Sequence, residues 1–257
     1  MNVAKNKKIW TQACVGVFGA FLVFFTILLF KNPAPLHHVI ERWKMSEAGF
    51  EFQETNTLSG YYLDACAQNK FLPVLGQGNC ICMAVVPDLS QLGAHPSSGA
   101  QSWHFAASEV FIESYEVFIL SHFKDYSSDR ASNRMLAADL KTYLESRCSQ
   151  WVVVGHGQGG GIAEWLALDW PAGVIKLVLL SPTGDLGGRL ASLQAPTLVL
   201  WGKKDPIQPL ADSYSVRDAL PRRTLWRQLP ECGHFIQEEC VKDVVEAISD
   251  MVQFGTM

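Results

Sequence analysis

The stretch best equipped for chemistry is residues 152–161, VVVGHGQGGG. An apolar β-branched run breaks into a glycine-rich turn and passes into IAEWLAL, which reads as helix. Strand, sharp turn and helix in that order form the setting in which G-x-S-x-G presents a nucleophilic serine. Here the point of the turn is Gly157. Glycine offers no hydroxyl, thiol or carboxylate, so a covalent acyl intermediate cannot form on it. Backbone N–H groups at a helix start also attract anions. A phosphate-loop reading, however, lacks both the Lys-Ser/Thr pair and the G-x-G-x-x-G context. Gly159, Gly160 and Gly161 are read instead as allowing close packing of helix on sheet.

Cysteine and histidine are the other reactive types. Cys232, His234 and Cys240 are spaced so that a metal could be held, whereas Cys80-x-Cys82 has the wrong spacing for a zinc knuckle. Six cysteines lie beyond residue 30: Cys66, Cys80, Cys82, Cys148, Cys232 and Cys240. The even number permits disulfides, but a domain of this size does not need them. The sequence reading is therefore buried free thiols, with no metal and no cofactor.

The elements that must position these residues follow from hydrophobic period. FEFQETN and SGYYLDAC alternate as strands, and CICMAVV (80–86) and YEVFIL (115–120) are short apolar strands. RASNRMLAADLKTYLESR carries a helical stripe at Met135, Leu136, Leu140 and Leu144. SWHFAASEVFIES also has helical spacing. After WVVVG and its helix come strands VIKLVLLS and PTLVLWG, helix SYSVRDAL, strand RTLWRQL and a final amphipathic helix EECVKDVVEAISDMVQF. Alternating strands and helices predict an α/β domain over residues 49–257, its mostly parallel sheet covered on both faces.

The N-terminal part is of another kind. Residues 1–8 form a basic tail, and residues 9–30 contain no charged side chain. As a helix the run would be about 33 Å long, enough for a hydrocarbon core of about 30 Å. It exceeds the apolar region of a signal peptide, and KNPAPLHH is a poor cleavage context, so an uncleaved single-pass anchor is expected. Pro33 and Pro35 are read as stopping it, with residues 31–48 as a linker. Gly16 and Ala20 form a small-xxx-small pair suited to a close helix contact. Lys5, Lys7 and Lys8 balance Lys31, Arg42 and Lys44, with a slight preference for a cytoplasmic or matrix N-terminus. The chain has 257 residues, net charge −4 and 48% hydrophobic residues, which suits one globular domain and not a nucleic-acid binder.

The soluble part resembles the α/β-hydrolase superfamily from about residue 50 to residue 254. YEVFILSHFKDYSSD is similar to the family's Y-x-V-I-x-x-D-x-x-G-x-G-x-S-D, and VVVGHGQGGG to V-V-G-H-S-x-G-G. APTLVLWGKKDPIQP is similar to P-T-L-V-x-x-G-x-x-D, and LPECGHFIQEE to G-H-x-x-x-x-E. The resemblance implies Asp205 as the acid, His234 as the base, and the N–H of Gln158 as an oxyanion donor. The order nucleophile, acid, histidine agrees. SPTGDLGGRLASLQA leaves no room for the helical lid often inserted there, which implies a small lidless member.

Two departures decide the functional expectation. Gly157 stands where the family has its nucleophile. PDLSQLGAHPSSG stands where it has H-G, and Pro87 has no N–H to offer an oxyanion. Loss of one such donor costs typically about 10²–10³ in rate. Gly157, Asp205 and His234 are then vestigial positions of a triad. The expected protein is a membrane-anchored, catalytically inactive member of the fold. It would act as an accessory subunit among other subunits of a larger membrane complex, held in the lipid bilayer by residues 9–30. No lipidation or retention motif names the membrane, and an organellar (mitochondrial) inner membrane is the working expectation. Two alternatives stay open: a residual hydrolase in which Asp205 and His234 activate water directly or Ser97 or Ser98 substitutes as nucleophile, and a receptor that keeps the pocket to bind a small molecule.

Overall fold

The computed structural model describes residues 34–64, 81–89, 99–104, 115–123, 130–183 and 189–254. Residues 42–257 form one compact unit, and residues 1–41 fall to another. The expected anchor at 9–30 lies outside the described residues, as do Cys14, Cys66, Cys80, Ser97 and Ser98. Among the described residues no helix is long and apolar enough to cross a membrane.

The first element among the described residues is helix α1 (Ala34–Glu47), in the stretch read as a linker. Pro35 sits in its first turn, where its lost N–H has no intrahelical partner and its φ already suits a helix. Pro35, expected to help end one helix, thus lies in the first turn of another, and Pro33 lies outside the described residues. Strands β1 (Glu51–Glu54) and β2 (Leu58–Asp64) run antiparallel, and β2 pairs antiparallel with β4 (Tyr115–Phe123).

From there the sheet is parallel. It comprises β3 (Ile81–Val86), β4, β5 (Trp151–His156), β6 (Val174–Leu180), β7 (Thr197–Gly202) and β8 (Leu225–Leu229). Among the described residues eight strands are ordered β1-β2-β4-β3-β5-β6-β7-β8. The central strands are near-continuous apolar runs because helices cover both their faces. Every residue of β5 and β7 is buried.

Two cores result. On one face Met83, Val117, Val152 and Val178 meet Met45 of α1 and Val244, Ala247, Ile248 and Met251 of helix α6 (Val241–Phe254). Those four positions repeat at i, i+3, i+4 and i+7, one stripe of a helix. On the other face Ala84, Phe118, Val153 and Leu179 meet α2 (Arg130–Glu145), α3 (Gln158–Asp169) and α4 (Leu210–Ala219). Leu136, Ala137, Leu140 and Leu144 of α2 are buried, whereas Met135 is 69% exposed. Three of the four expected stripe positions are therefore buried, and Met135, about 100° round the helix from Leu136 on the side away from Ala137, falls outside the stripe. Between Ala100 and Trp103 only a short 3₁₀ turn is described of the helix expected from Ser102 onward.

The cysteines require a correction. Cys82 is joined to Cys148 and Cys232 to Cys240. The free-thiol reading fails for these four. The first bridge ties the start of β3 to the turn before β5, and the second closes the loop that carries His234. Cys232 and Cys240 are bonded to each other and hold no metal with His234.

Candidate functional site

In a parallel sheet the loops at the carboxyl ends of the strands gather on one side, which is where such folds place their sites. Four of those loops converge here. The turn after β5 carries Gly157, with φ +53° and ψ −122°. Its N–H donates to the Leu180 carbonyl at 3.0 Å, and its own carbonyl accepts from Thr183 at 2.9 Å and Gly160 at 3.0 Å. A Cβ at Gly159 would stand 2.1 Å from the Val86 carbonyl oxygen. Only glycine lets the turn approach the end of β3 this closely.

Asp205 follows β7. Its Oδ1 accepts from the N–H groups of Ile207 (2.9 Å) and Gln208 (2.7 Å), pinning its own loop, and its Oδ2 faces His234 Nδ1 at 2.9 Å. Burial acts to raise its pKa, but His234 and the two backbone donors outweigh burial and hold the carboxyl below its ordinary value. His234 lies in the loop before the short helix α5 (Ile236–Glu239). Glu239 binds that loop on both sides of the histidine, accepting from Gly233 N at 2.5 Å and Phe235 N at 3.2 Å.

The residue that sequence reasoning missed is Asp88, two positions beyond β3. Its Oδ2 lies 3.1 Å from His234 Nε2, and its Oδ1 accepts from Gln158 N at 3.3 Å. Both Asp88 and His234 are 1% exposed. A Cβ placed on Gly157 would meet the Asp88 carboxyl carbon at 2.6 Å. The Asp88 carboxylate thus fills the space beside position 157, takes the N–H of Gln158, and binds the ring nitrogen of His234 that would face a nucleophile. It also sits at the N-terminus of α3, where the helix dipole favours a negative charge. The sequence holds only a local trace of it, an aspartate two residues past the apolar run that ends at Val86, and nothing that links it to positions 157 and 234.

His234 is therefore held between two carboxylates. Burial alone would lower its pKa, but the hydrogen bonds and charges of Asp205 and Asp88 prevail and raise it to about 9. At neutral pH both ring nitrogens carry protons and both donate. His156, one residue before the turn, is its opposite. Burial and the neighbouring His234 charge lower its pKa to about 4. As a neutral ring it donates from Nε2 to the His234 carbonyl at 3.0 Å, which locks the histidine loop from behind.

For a metal, the described residues offer one group, Cys82, Glu116 and Cys148, with ligand atoms within 4.8 Å of one another. The two sulfurs are engaged with each other. Glu116 is engaged by the Tyr62 hydroxyl, whose titration is pushed upward first by burial and then by that carboxylate.

Comparison with known proteins gives the frame for this geometry. A membrane phospholipase A described as a bacterial virulence factor superposes with a TM-score of 0.66 at 16% identity, covering 94% of this chain and 98% of that one. A CIB-like hydrolase from Thermoplasma acidophilum gives 0.62 at 19% identity, covering 79% and 96%. The chain has the α/β-hydrolase fold. An esterase from Thermogutta terrifontis gives 0.59 at 13% identity over 80% of this chain and 100% of that one. In sequence, the chain is 33% identical over 69 residues to a 2-hydroxy-6-oxononadienedioate/2-hydroxy-6-oxononatrienedioate hydrolase of Pseudomonas putida. That match spans about a quarter of each protein, 27% of this chain and 24% of the relative. No family model matches the chain.

Within this fold the structure brings together Gly157, Gln158, Asp205 and His234, as the sequence motifs require, and adds Asp88 in their midst.

Proposed function

We propose that the protein is a catalytically inactive α/β-hydrolase-fold domain, anchored in a membrane and serving as an accessory subunit of a larger membrane complex. One observation carries the inactivity: the Asp88 carboxylate stands where a nucleophile at position 157 would project. It withholds the Gln158 N–H from an oxyanion and the His234 Nε2 from a substrate proton. A general base must be unprotonated at its working pH, and His234, with its pKa near 9, holds its proton. The same network has a structural use. It ties the loops after β3, β5, β7 and β8 into one buried cluster and so rigidifies the face that an active enzyme keeps open.

The anchor reading rests on the charge-free run at residues 9–30. A tethered domain meets partners in the same membrane at raised effective concentration, which suits a subunit whose contribution is shape. The test is native-gel sizing after mild-detergent solubilisation of the source membrane. Co-migration with an assembly much larger than one chain, retained at raised salt, is expected. A band at one chain plus its micelle across several mild detergents would defeat the subunit reading.

A further inference from the structure

Helix α1 buries Met45 against the sheet and turns Val39, Ile40 and Trp43 outward, with exposures of 64%, 38% and 59%. Positions 39, 40 and 43 are related by three and four residues and form one face of the helix. Leaving a tryptophan and two β-branched residues side by side in water is unfavourable by roughly 25 cal/mol for each Å² of apolar surface. We propose that this face of α1 lies in the headgroup region of a lipid bilayer, making α1 an interfacial helix that continues the membrane anchor. The inference rests on the anchor reading given above and deepens it.

Chain length supports a lipid occupant. Phe30 closes the charge-free run and Ala34 opens α1. Four residues span at most about 14 Å, so with residues 9–30 in the bilayer the start of α1 cannot leave the membrane surface. The interfacial zone on each side is itself about 5–8 Å deep. A tryptophan is suited to that zone, with an apolar ring for the acyl boundary and an N–H for the headgroups. The charge pattern agrees. Lys31 precedes the helix, Arg42 and Lys44 flank Trp43, and Glu41 is buried, leaving Glu47 as the exposed acid at the far end. The Arg42 guanidinium sits 4.0 Å from the centre of the Phe52 ring, which holds the second half of the helix beside β1. This is the pattern of an amphipathic helix lying on an anionic surface.

The test uses the full chain reconstituted in vesicles of phosphatidylcholine and phosphatidylglycerol, part of the phosphatidylcholine being brominated either high or deep in its acyl chains. The chain has 8 tryptophans, so Trp43 is read as the difference in emission between the native chain and Trp43→Phe, which keeps an apolar ring. Both proteins are expected to float with the vesicles. The Trp43 signal should fall at least twofold with shallow bromines and distinctly less with deep ones. Flotation of both proteins with a Trp43 signal that neither bromine position quenches would overturn the interfacial helix and leave the anchor standing. That face would then be open to water or reserved for a protein partner. Failure of both proteins to float would overturn the anchor reading and the interfacial helix together.

Discussion

A serine at position 157 would place its Cβ 2.6 Å from the Asp88 carboxyl carbon, and the backbone there, at φ +53°, costs a residue with a side chain about 1–3 kcal/mol. Gly157→Ser should therefore lower stability by about 2 kcal/mol or more and restore no hydrolysis. Adding Asp88→Gly should recover part of the loss by removing the clash. Denaturant midpoints of the detergent-solubilised chain measure both, and a fully stable Gly157→Ser would refute the crowding. The pH dependence has two residue-level sources of the same sign. His234, raised to about 9, contributes stability that is complete below about pH 6.5 and lost as pH rises through 9. Glu164 of α3 is fully buried, and neither carboxyl oxygen has a hydrogen-bond partner among the described residues. Burial raises its pKa to about 8, so folding grows less favourable from about pH 4.5 until pH 8 and levels off above. At about 1.4 kcal/mol per pH unit, His234 accounts for up to roughly 3–4 kcal/mol and Glu164 for up to roughly 5 kcal/mol. Glu164→Gln should flatten the fall in stability between pH 5 and 8 and leave the His234 portion, up to pH 9, in place. An unchanged profile would show that Glu164 is solvated or paired.

At the scale of elements, the two disulfides make the sharpest prediction. Peptide mapping without reduction should recover Cys82 joined to Cys148 and Cys232 joined to Cys240. From loop closure in the unfolded chain, the first, spanning 66 residues, stabilises by about 4 kcal/mol and the second, spanning 8, by about 2.5 kcal/mol. The Cys82→Ser/Cys148→Ser variant should lose the more; equal or negligible losses would contradict the bridges. Much of this level was legible. β5 and its turn, β7 and the final helix each announce themselves by an apolar run or a 3.6-residue period, which are local signals. The bridges and Asp88 were not legible because they are non-local. Position 88 meets 157 and 234 only once β3 is laid beside β5, and no spacing rule reports that. Cysteine number likewise does not reveal connectivity. Met135 was misplaced because an apolar residue one position off a stripe is indistinguishable from a member of it until the helix is docked.

For the whole molecule, the disulfides and the proposed anchor bear on the same question. Bridges of this kind persist in oxidising compartments and are rare where thiols are kept reduced. With the basic tail of residues 1–8 on the cytoplasmic or matrix side, the domain would lie across the membrane on an oxidising face, an arrangement that protease protection of intact vesicles can check. There the domain would present a sheet covered on both faces and a catalytic end closed from within by Asp88. An end closed in this way would perform no acyl chemistry. The most direct measurement is fluorophosphonate labelling of the detergent-solubilised full chain, followed by mapping of any adduct. No stoichiometric adduct on any serine is expected between pH 7 and 9. A stoichiometric serine adduct that disappears in His234→Ala would contradict this, because it would show that His234 still activates a nucleophile.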